Sequence, residues 1–227
     1  MKNRWNPDDA GVLRGELALR AYSSRLLGQD DTLVLHGGGN TSVKIRERNV
    51  LGDDEEILYV KGSGSDLATI GEAGFCPVRR AHLVRLSKLE RLSDPEMMNE
   101  LATQATRTGA PKPSVEAILH AILPHRYVDH THADAVLAVT NTAHGGGRIR
   151  AIYGSDVVVV PYVMPGFELA RLCAKHLIAE AHPGTIGMVL LNHGIFSFGD
   201  TARESYDRMI ELVGRAEAYL ERHDAWE

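Results

Sequence analysis

Two histidines separated by one residue, His130-Thr131-His132, are where the chemistry of this sequence starts. On an extended segment side chains alternate between faces, so imidazoles at i and i+2 leave the same face and can converge on one ion. A third histidine, His193, closes the run Met188-Val-Leu-Leu-Asn-His-Gly, where an expected buried strand meets a glycine turn. Three imidazoles with one open position are the donor set of a catalytic zinc site, whereas a structural zinc is closed by four protein ligands. On spacing alone the pair also fits two ordinary histidines at a strand end, and His193 is what adds weight to the metal reading. Glu116 lies near the start of an expected helix, where the dipole favours its ionised form, so taken alone helix-end electrostatics is its better explanation.

Two glycine segments follow β-rich runs: His36-Gly37-Gly38-Gly39-Asn40-Thr41-Ser42 and Lys61-Gly62-Ser63-Gly64-Ser65-Asp66. Glycine lets successive backbone N–H groups point at one anion, and hydroxyls with a lysine complete a phosphate cradle. A tight turn is the alternative for each loop. Neither fits GxxxxGK[ST] or GxGxxG, and no GxSxG elbow occurs, so a P-loop NTPase, a dinucleotide fold and a lipase-like hydrolase are not supported. His144-Gly145-Gly146-Gly147 reads as a flexible loop. His120 and His125, on or just after the helix beginning at Ser114, are assigned to packing or the surface, and His82, His176, His182 and His223 to helix faces.

The 227 residues carry 25 Lys and Arg against 30 Asp and Glu, a net charge of −5 with neutral histidines. That balance argues against a nucleic-acid or anionic-membrane partner, so any bound anion must be held by a local device. Cys76 and Cys173 form no CxxC, which fits reduced thiols in the cytoplasm. The N-terminus has no signal-like apolar region, and the run Val157 to Met164 is too short to span a bilayer.

The elements that must position these residues follow from periodicity and breakers. Helices are expected at Asp9–Leu27, 78–91, 94–107, 114–123, from Ala133, at Glu168–Ala181 and from Thr201. Strands are expected at Thr32–Leu35, Ser42–Ile45, Glu56–Lys61, Tyr127–His130, Val157–Pro161, Ile186–Leu191 and Ile195–Phe198, with a helical turn at Leu67–Ile70. The early strands have no helix-length crossover between them and are antiparallel neighbours. The expected fold is one α/β domain over residues 1–227, with a mixed, largely antiparallel central sheet covered by helices.

In order and spacing, Gly-Gly-Asn-Thr-Ser, Ser114-Val-Glu-Ala-Ile-Leu-His, His130-Thr-His-Ala-Asp and Asn192-His193-Gly resemble the class II aldolase/adducin family, across essentially the whole chain. The wording of Lys61-Gly-Ser-Gly-Ser-Asp-Leu and Val128-Asp-His-Thr-His-Ala-Asp-Ala-Val is closest to the aldolase portion of bifunctional rhamnulose-phosphate aldolase/dehydrogenase proteins; no dehydrogenase portion is expected here. The resemblance implies that His130, His132 and His193 bind zinc or another divalent metal. It also implies that Glu116 is the catalytic carboxylate and that Asn40, Ser63, Gly64 and Ser114 hold phosphate, with Lys61 added by the loop reading.

The implied activity is reversible cleavage of a ketose 1-phosphate to dihydroxyacetone phosphate and a short aldehyde, through a metal-stabilised enediolate. Family epimerases usually carry aspartate at the Glu116 position, so glutamate leans towards carbon–carbon cleavage. A decarboxylase, dehydratase or epimerase on the same scaffold is the alternative, and a non-catalytic adducin-like module is disfavoured because all three histidines and the glutamate are kept. Two departures from the pattern are Val115, where the family has serine, and a longer, more helical segment between Ala81 and Lys112. The family assembles as homotetramers with active sites between subunits. Tyr206, Tyr219 or Trp226 are candidates to reach an adjacent site, and Tyr153 a candidate acid on the aldehyde side.

Overall fold

The computed structural model describes residues 1–225, so Trp226 lies outside the described residues. In chain order the elements are α1 (Pro7–Gly11), α2 (Glu16–Gly28), β1 (Asn40–Arg48), β2 (Asp54–Lys61), β3 (Phe75–Arg79), α3 (Arg80–Leu86), α4 (Asp94–Thr103), α5 (Ala117–Ile122), β4 (Tyr127–Thr131), α6 (Asp134–Thr140), α7 (Gly145–Tyr153), β5 (Val157–Val160), α8 (Phe167–Glu180), β6 (Gly187–Leu190), β7 (Gly194–Gly199) and α9 (Ala202–Arg222). Among the described residues no helix is long and apolar enough to cross a membrane.

All strands join one seven-stranded sheet in the order β3-β2-β1-β4-β7-β6-β5. Every neighbouring pair is antiparallel except β5 with β6, as the expectation of a mixed, largely antiparallel sheet requires. Connection length explains the exception. β1 and β2 are joined by a tight turn in which Asn49 Oδ1 accepts from the N–H groups of Leu51 and Asp53. β5 and β6 are separated by α8, the crossover a parallel pair needs.

Helices cover both faces. Val157 and Val159 of β5 pack in the layer that holds Val136 of α6, Ile149 of α7 and Val213 of α9, while Val158 and Val160 pack with Leu119 of α5 and Leu169 of α8. A strand buried on both faces must be apolar throughout, and Val157–Val160 is. A second cluster under β2 and β3 brings Leu83, Leu101 and Ile118 together from α3, α4 and α5.

The central strand β4 carries a fully buried ion pair. Asp129 Oδ1 lies 2.5 Å from Arg20 Nη2 of α2, with both side chains at 0% exposure. Arg20 Nε donates to Ser24 Oγ at 3.2 Å, and Asp129 Oδ2 accepts from Ser205 Oγ of α9 at 2.5 Å. Asp129 therefore faces α2 and α9, and the next residue, His130, faces the opposite layer.

Several segments depart from the sequence reading. Asp9–Leu27 splits into α1 and α2, because Gly15, at φ +89°, turns the backbone out of the helical path just before Glu16 and leaves Val12 exposed. Thr32–Leu35 is a turn: the Asp30 carboxylate accepts from the Thr32 N–H and hydroxyl, and its carbonyl from Leu33 and Val34, consuming the donors a ladder would use. The expected helix at 78–91 is preceded by strand β3, where Pro77 is tolerated because β3 is the sheet edge. Helix α4 stops at Thr103, since the Thr106 N–H donates to Pro77 O at 2.9 Å. The His144 segment leads into helix α7, fixed by burial of Ile149 and Tyr153, and is no flexible loop. His182 lies past the end of α8 and hydrogen-bonds Ser155 O at 2.9 Å.

Removing one partner of a buried pair leaves an uncompensated charge, which costs about 3–5 kcal/mol. Asp129→Asn is expected to lose stability of about that size in urea unfolding, and Arg20→Met combined with Asp129→Leu to lose clearly less.

Candidate active site

Strand register assembles the expected metal set. Asn40 of β1 and Phe196 of β7 stand opposite His130. The fully buried His130 ring stacks on Phe196, with centroids 4.1 Å apart and planes at 15°. Its Nδ1–H donates to Ile195 O at 3.1 Å, which leaves the Nε2 lone pair available, the usual support for a ligating histidine. His132 follows the end of β4, with Nε2 3.1 Å from His130 Nε2. His193 sits in the turn between β6 and β7, its ring centroid 5.1 Å from that of His130 and 5.2 Å from that of His132. One nitrogen from each ring lies within 4.8 Å of the others, and these three form the only such cluster of His, Cys, Asp or Glu among the described residues.

Glu116 caps α5 and is 7% exposed. Its Oε2 lies 3.5 Å from His130 Nε2 and its Oε1 3.5 Å from His193 Nε2, and Oε1 is buried with no hydrogen-bond partner among the described residues. Burial raises the Glu116 pKa, against the opposing pull of His193, the Asn40 hydrogen bond and Lys61. Burial lowers all three histidine pKa values, and their mutual proximity pushes His130 further down. Three neutral imidazoles facing one another beside an unsatisfied carboxylate oxygen form a donor set that fits a divalent cation.

Two glycines allow the strands to close around this set. A Cβ on Gly194 would stand 2.4 Å from Thr131 O, 3.0 Å from His130 Cε1 and 3.1 Å from His132 Cδ2. One on Gly39, where φ is +60°, would stand 2.8 Å from His130 O.

The Glu116 surroundings contain residues that spacing did not single out. Asn40 Nδ2 donates to Glu116 Oε2 at 2.5 Å, so the residue expected on the phosphate holds the carboxylate, with one amide proton still free to serve a ligand. Asn40 Oδ1 accepts from His120 Nε2, and His120 Nδ1 lies 2.8 Å from Ser42 Oγ. His120 is fully buried, and burial holds its pKa well below the usual value, with Lys44 and Arg20 adding to the effect. The sequence did hold a signal. Asn40 and Ser42 share a strand face at i and i+2, and His120 follows Glu116 by one helical turn.

Lys61 joins the two glycine loops by donating through Nζ to Gly37 O at 2.7 Å. Burial lowers its pKa, while Asp66 and Glu116 pull the other way. The second loop is less open to an anion than its composition implies: the N–H groups of Gly62, Ser63 and Ser65 already donate to Gly74 O, Lys112 O and Gly62 O. The Gly64 N–H and the Ser63 hydroxyl have no protein partner among the described residues. Ser114 adjoins this loop, its N–H donating to Lys61 O at 3.2 Å and its Oγ accepting from Glu116 N at 3.3 Å.

Within one chain these tyrosines lie away from the histidine trio. Tyr153 is buried and donates to Leu212 O at 2.8 Å, on the α9 side of the sheet, which removes it as an aldehyde-side acid. Tyr206 is likewise buried, bonded to the Arg4 N–H at 3.0 Å, and Tyr219 lies tilted against His223 with ring centroids 4.2 Å apart. A charged cavity of 590 Å³ lined by Lys44, Arg46, Glu56, Arg126 and Asp200 includes none of the expected site residues.

The chain has counterparts among known proteins. The family model for the class II aldolase and adducin N-terminal domain matches residues 19–220. The chain is 35% identical over 220 residues to the uncharacterized oxidoreductase YuxG of Bacillus subtilis (strain 168), covering 97% of this chain and 32% of that protein. It therefore spans about a third of the length of that curated relative. The N-terminal class II aldolase domain of a conserved protein from Thermoplasma acidophilum superimposes with a TM-score of 0.89 at 42% identity, over 97% of this chain and 99% of that one. The l-fuculose-1-phosphate aldolase of Thermus thermophilus shares the fold, with a TM-score of 0.58 at 18% identity over 91% of this chain and 93% of its own.

Gly194→Ala drives a methyl group into the backbone and two of the imidazoles. It is expected to leave the far end of the sheet folded while lowering divalent-metal retention by ~10-fold or more, measured by chelator competition against wild type.

Proposed function

The chain belongs to the class II aldolase and adducin family, and from that premise we propose that it is a metal-dependent aldolase that reversibly cleaves a ketose 1-phosphate into dihydroxyacetone phosphate and a short aldehyde. The observation that carries this reading is the buried Glu116 carboxylate, with one oxygen unpartnered, beside three converging neutral histidines. A zinc ion, or another divalent metal, held by His130, His132 and His193 would supply Lewis acidity to the oxygens of the bound substrate.

The chain's own residues do the rest. In the cleavage direction the bond between the two fragments breaks with its electron pair left on the three-carbon piece, and the aldehyde-side hydroxyl gives up its proton to the Glu116 carboxylate. Glu116 Oε1 then delivers a proton to the carbon that bore the broken bond, and in the reverse direction removes it. A carboxylate whose pKa is raised by burial holds that proton closer to neutral pH than an exposed one would. Asn40 fixes Oε2, so the two oxygens have separate tasks.

For the phosphate we assign Lys61 Nζ, the Ser63 hydroxyl, the Gly64 N–H and the Ser114 hydroxyl, with the second Asn40 amide proton. Val115, 41% exposed where the family pattern has serine, favours a second reading in which the same centre acts on a carboxylate-bearing or unphosphorylated sugar, as a decarboxylase, dehydratase or epimerase. The greater length of the Bacillus subtilis relative and its oxidoreductase name accord with the resemblance to the aldolase portion of bifunctional aldolase/dehydrogenase proteins. A homotetramer in the cytoplasm is the assembly and location we assign. Exposed apolar Leu35, Val115, Tyr162 and Met164 support the former, and the free thiols Cys76 and Cys173 the latter.

The deciding experiment screens metal-loaded protein against a panel of ketose 1-phosphates and tetronate phosphates, with coupled detection of dihydroxyacetone phosphate; its release from a ketose phosphate is the expected result. On the substrate so found, Glu116→Gln should lower kcat by ~10²-fold or more with metal still bound. An unchanged kcat with raised KM would make Glu116 a binding residue only.

Ser63→Ala removes one charge-assisted donor, worth about 1.5–3 kcal/mol. It should raise KM for a phosphorylated ketose roughly ten- to hundredfold and leave an unphosphorylated sugar unaffected. Equal losses on both sugars would show that the loop shapes the fold and does not read the phosphate.

A further inference from the structure

The groups that hold Glu116 lie outside the histidine trio and form a single chain of hydrogen bonds. Ser42 Oγ lies 2.8 Å from His120 Nδ1, His120 Nε2 bonds Asn40 Oδ1, and Asn40 Nδ2 lies 2.5 Å from Glu116 Oε2. The direction of the chain is set at one end. An ionised carboxylate can only accept, so Asn40 must turn its NH2 towards Glu116 and its oxygen towards His120. His120 Nε2 must then carry the proton, and Nδ1 must accept from the Ser42 hydroxyl. His120 is fully buried and meets Phe196 edge-on, with centroids 5.5 Å apart, while Phe196 stacks flat on His130.

We propose that His120 is a positioning residue for Glu116: through Asn40 it pins Oε2 and keeps Oε1 free to face the histidine trio and the reacting carbon. This rests on the reading of Glu116 as the proton-transfer group. Without the His120 donor the Asn40 side chain loses its second anchor and is free to swing off the carboxylate, which would release Oε2. The histidines, Lys61, Ser63 and Ser114 would be untouched, so metal binding should stay in place while turnover falls and the Asn40 contact to the phosphate is lost.

His120→Phe keeps a ring against Phe196 and has no donor, His120→Gln restores a donor near the position of Nε2, and Ser42→Ala removes only the far end of the chain. The first readout is the Asn40 side-chain amide in ¹⁵N-labelled protein, without substrate, in metal-free and metal-loaded forms. Its carboxylate-bonded proton should resonate downfield in wild type, lose that shift in His120→Phe, and recover it in His120→Gln. The second readout is kinetic: His120→Phe should lose ~10–100-fold in kcat, as for other outer-shell partners, with KM raised through the displaced Asn40 amide and metal retained. His120→Gln should recover most of kcat.

An unmoved Asn40 resonance in folded His120→Phe and Ser42→Ala, or a glutamine variant no better than phenylalanine, overturns the proposal. Should His120→Phe fail to fold, Ser42→Ala and His120→Gln carry the comparison. The resonance needs no substrate, so the two readings fail separately. A shifted resonance in a protein that cleaves no ketose phosphate sinks the aldolase assignment alone. Cleavage with an unmoved resonance sinks the positioning role alone.

Discussion

The position of the active site depends on the ion pair between Arg20 and Asp129. Taking two charges out of water costs several kcal/mol per ion, and such a pair persists only where geometry and further hydrogen bonds offset that cost. Here Ser24 serves the guanidinium and Ser205 the carboxylate. Because strand side chains alternate, fixing Asp129 on the α2 and α9 side also fixes Thr131 there and turns His130 to the other layer. A slip of β4 by one residue would drive Asp129 into the apolar layer of α5 and α8 with no counter-charge, and point His130 away from Glu116. Register in the central strand is therefore enforced electrostatically, by residues that touch no substrate.

On the opposite layer the same scarcity of water works for chemistry. Burial holds His130, His132 and His193 neutral and lifts the pKa of Glu116, so the cluster presents lone pairs and one unsatisfied oxygen where exposed groups would be hydrated. An unpaired buried carboxylate is costly, and Asn40 is its one hydrogen-bond donor among the described residues. The fold thus tolerates an incompletely satisfied carboxylate on one face of β4 while the other face is locked by a charge-neutralised ion pair.

How much of this can be read from the chain differs by element. The histidine spacing at 130 and 132, the glycine turn at His193 and the apolar run Val157–Val160 each express a local rule with one main outcome, and the strands and the metal trio follow from them. Thr32–Leu35 and Phe75–Arg79 escape such rules because their states depend on contacts that periodicity does not register: an Asp30 carboxylate that captures donors in one case, and an edge of β2 that accepts a proline in the other. His120 escapes for a related reason. Its task is visible only once β1 lies against β4 and sets Asn40 between it and Glu116, a contact across 80 positions that no local periodicity reports. The phosphate loop errs in the other direction, since composition shows how many amides a loop has and not how many are already spent on Gly74, Lys112 and Gly62.

The two glycines that let β1 and β7 press against β4 also limit how this centre can change over time. With 2.4 Å between a Gly194 Cβ and Thr131 O, and 2.8 Å between a Gly39 Cβ and His130 O, any side chain at either position collides with backbone that has nowhere to move. The inner wall is closed to gradual variation, so new substrate preferences must be acquired at exposed positions beside the site, such as Val115 next to Glu116. Lineages built on this scaffold would then be expected to differ in what they grip and to agree in how they break it.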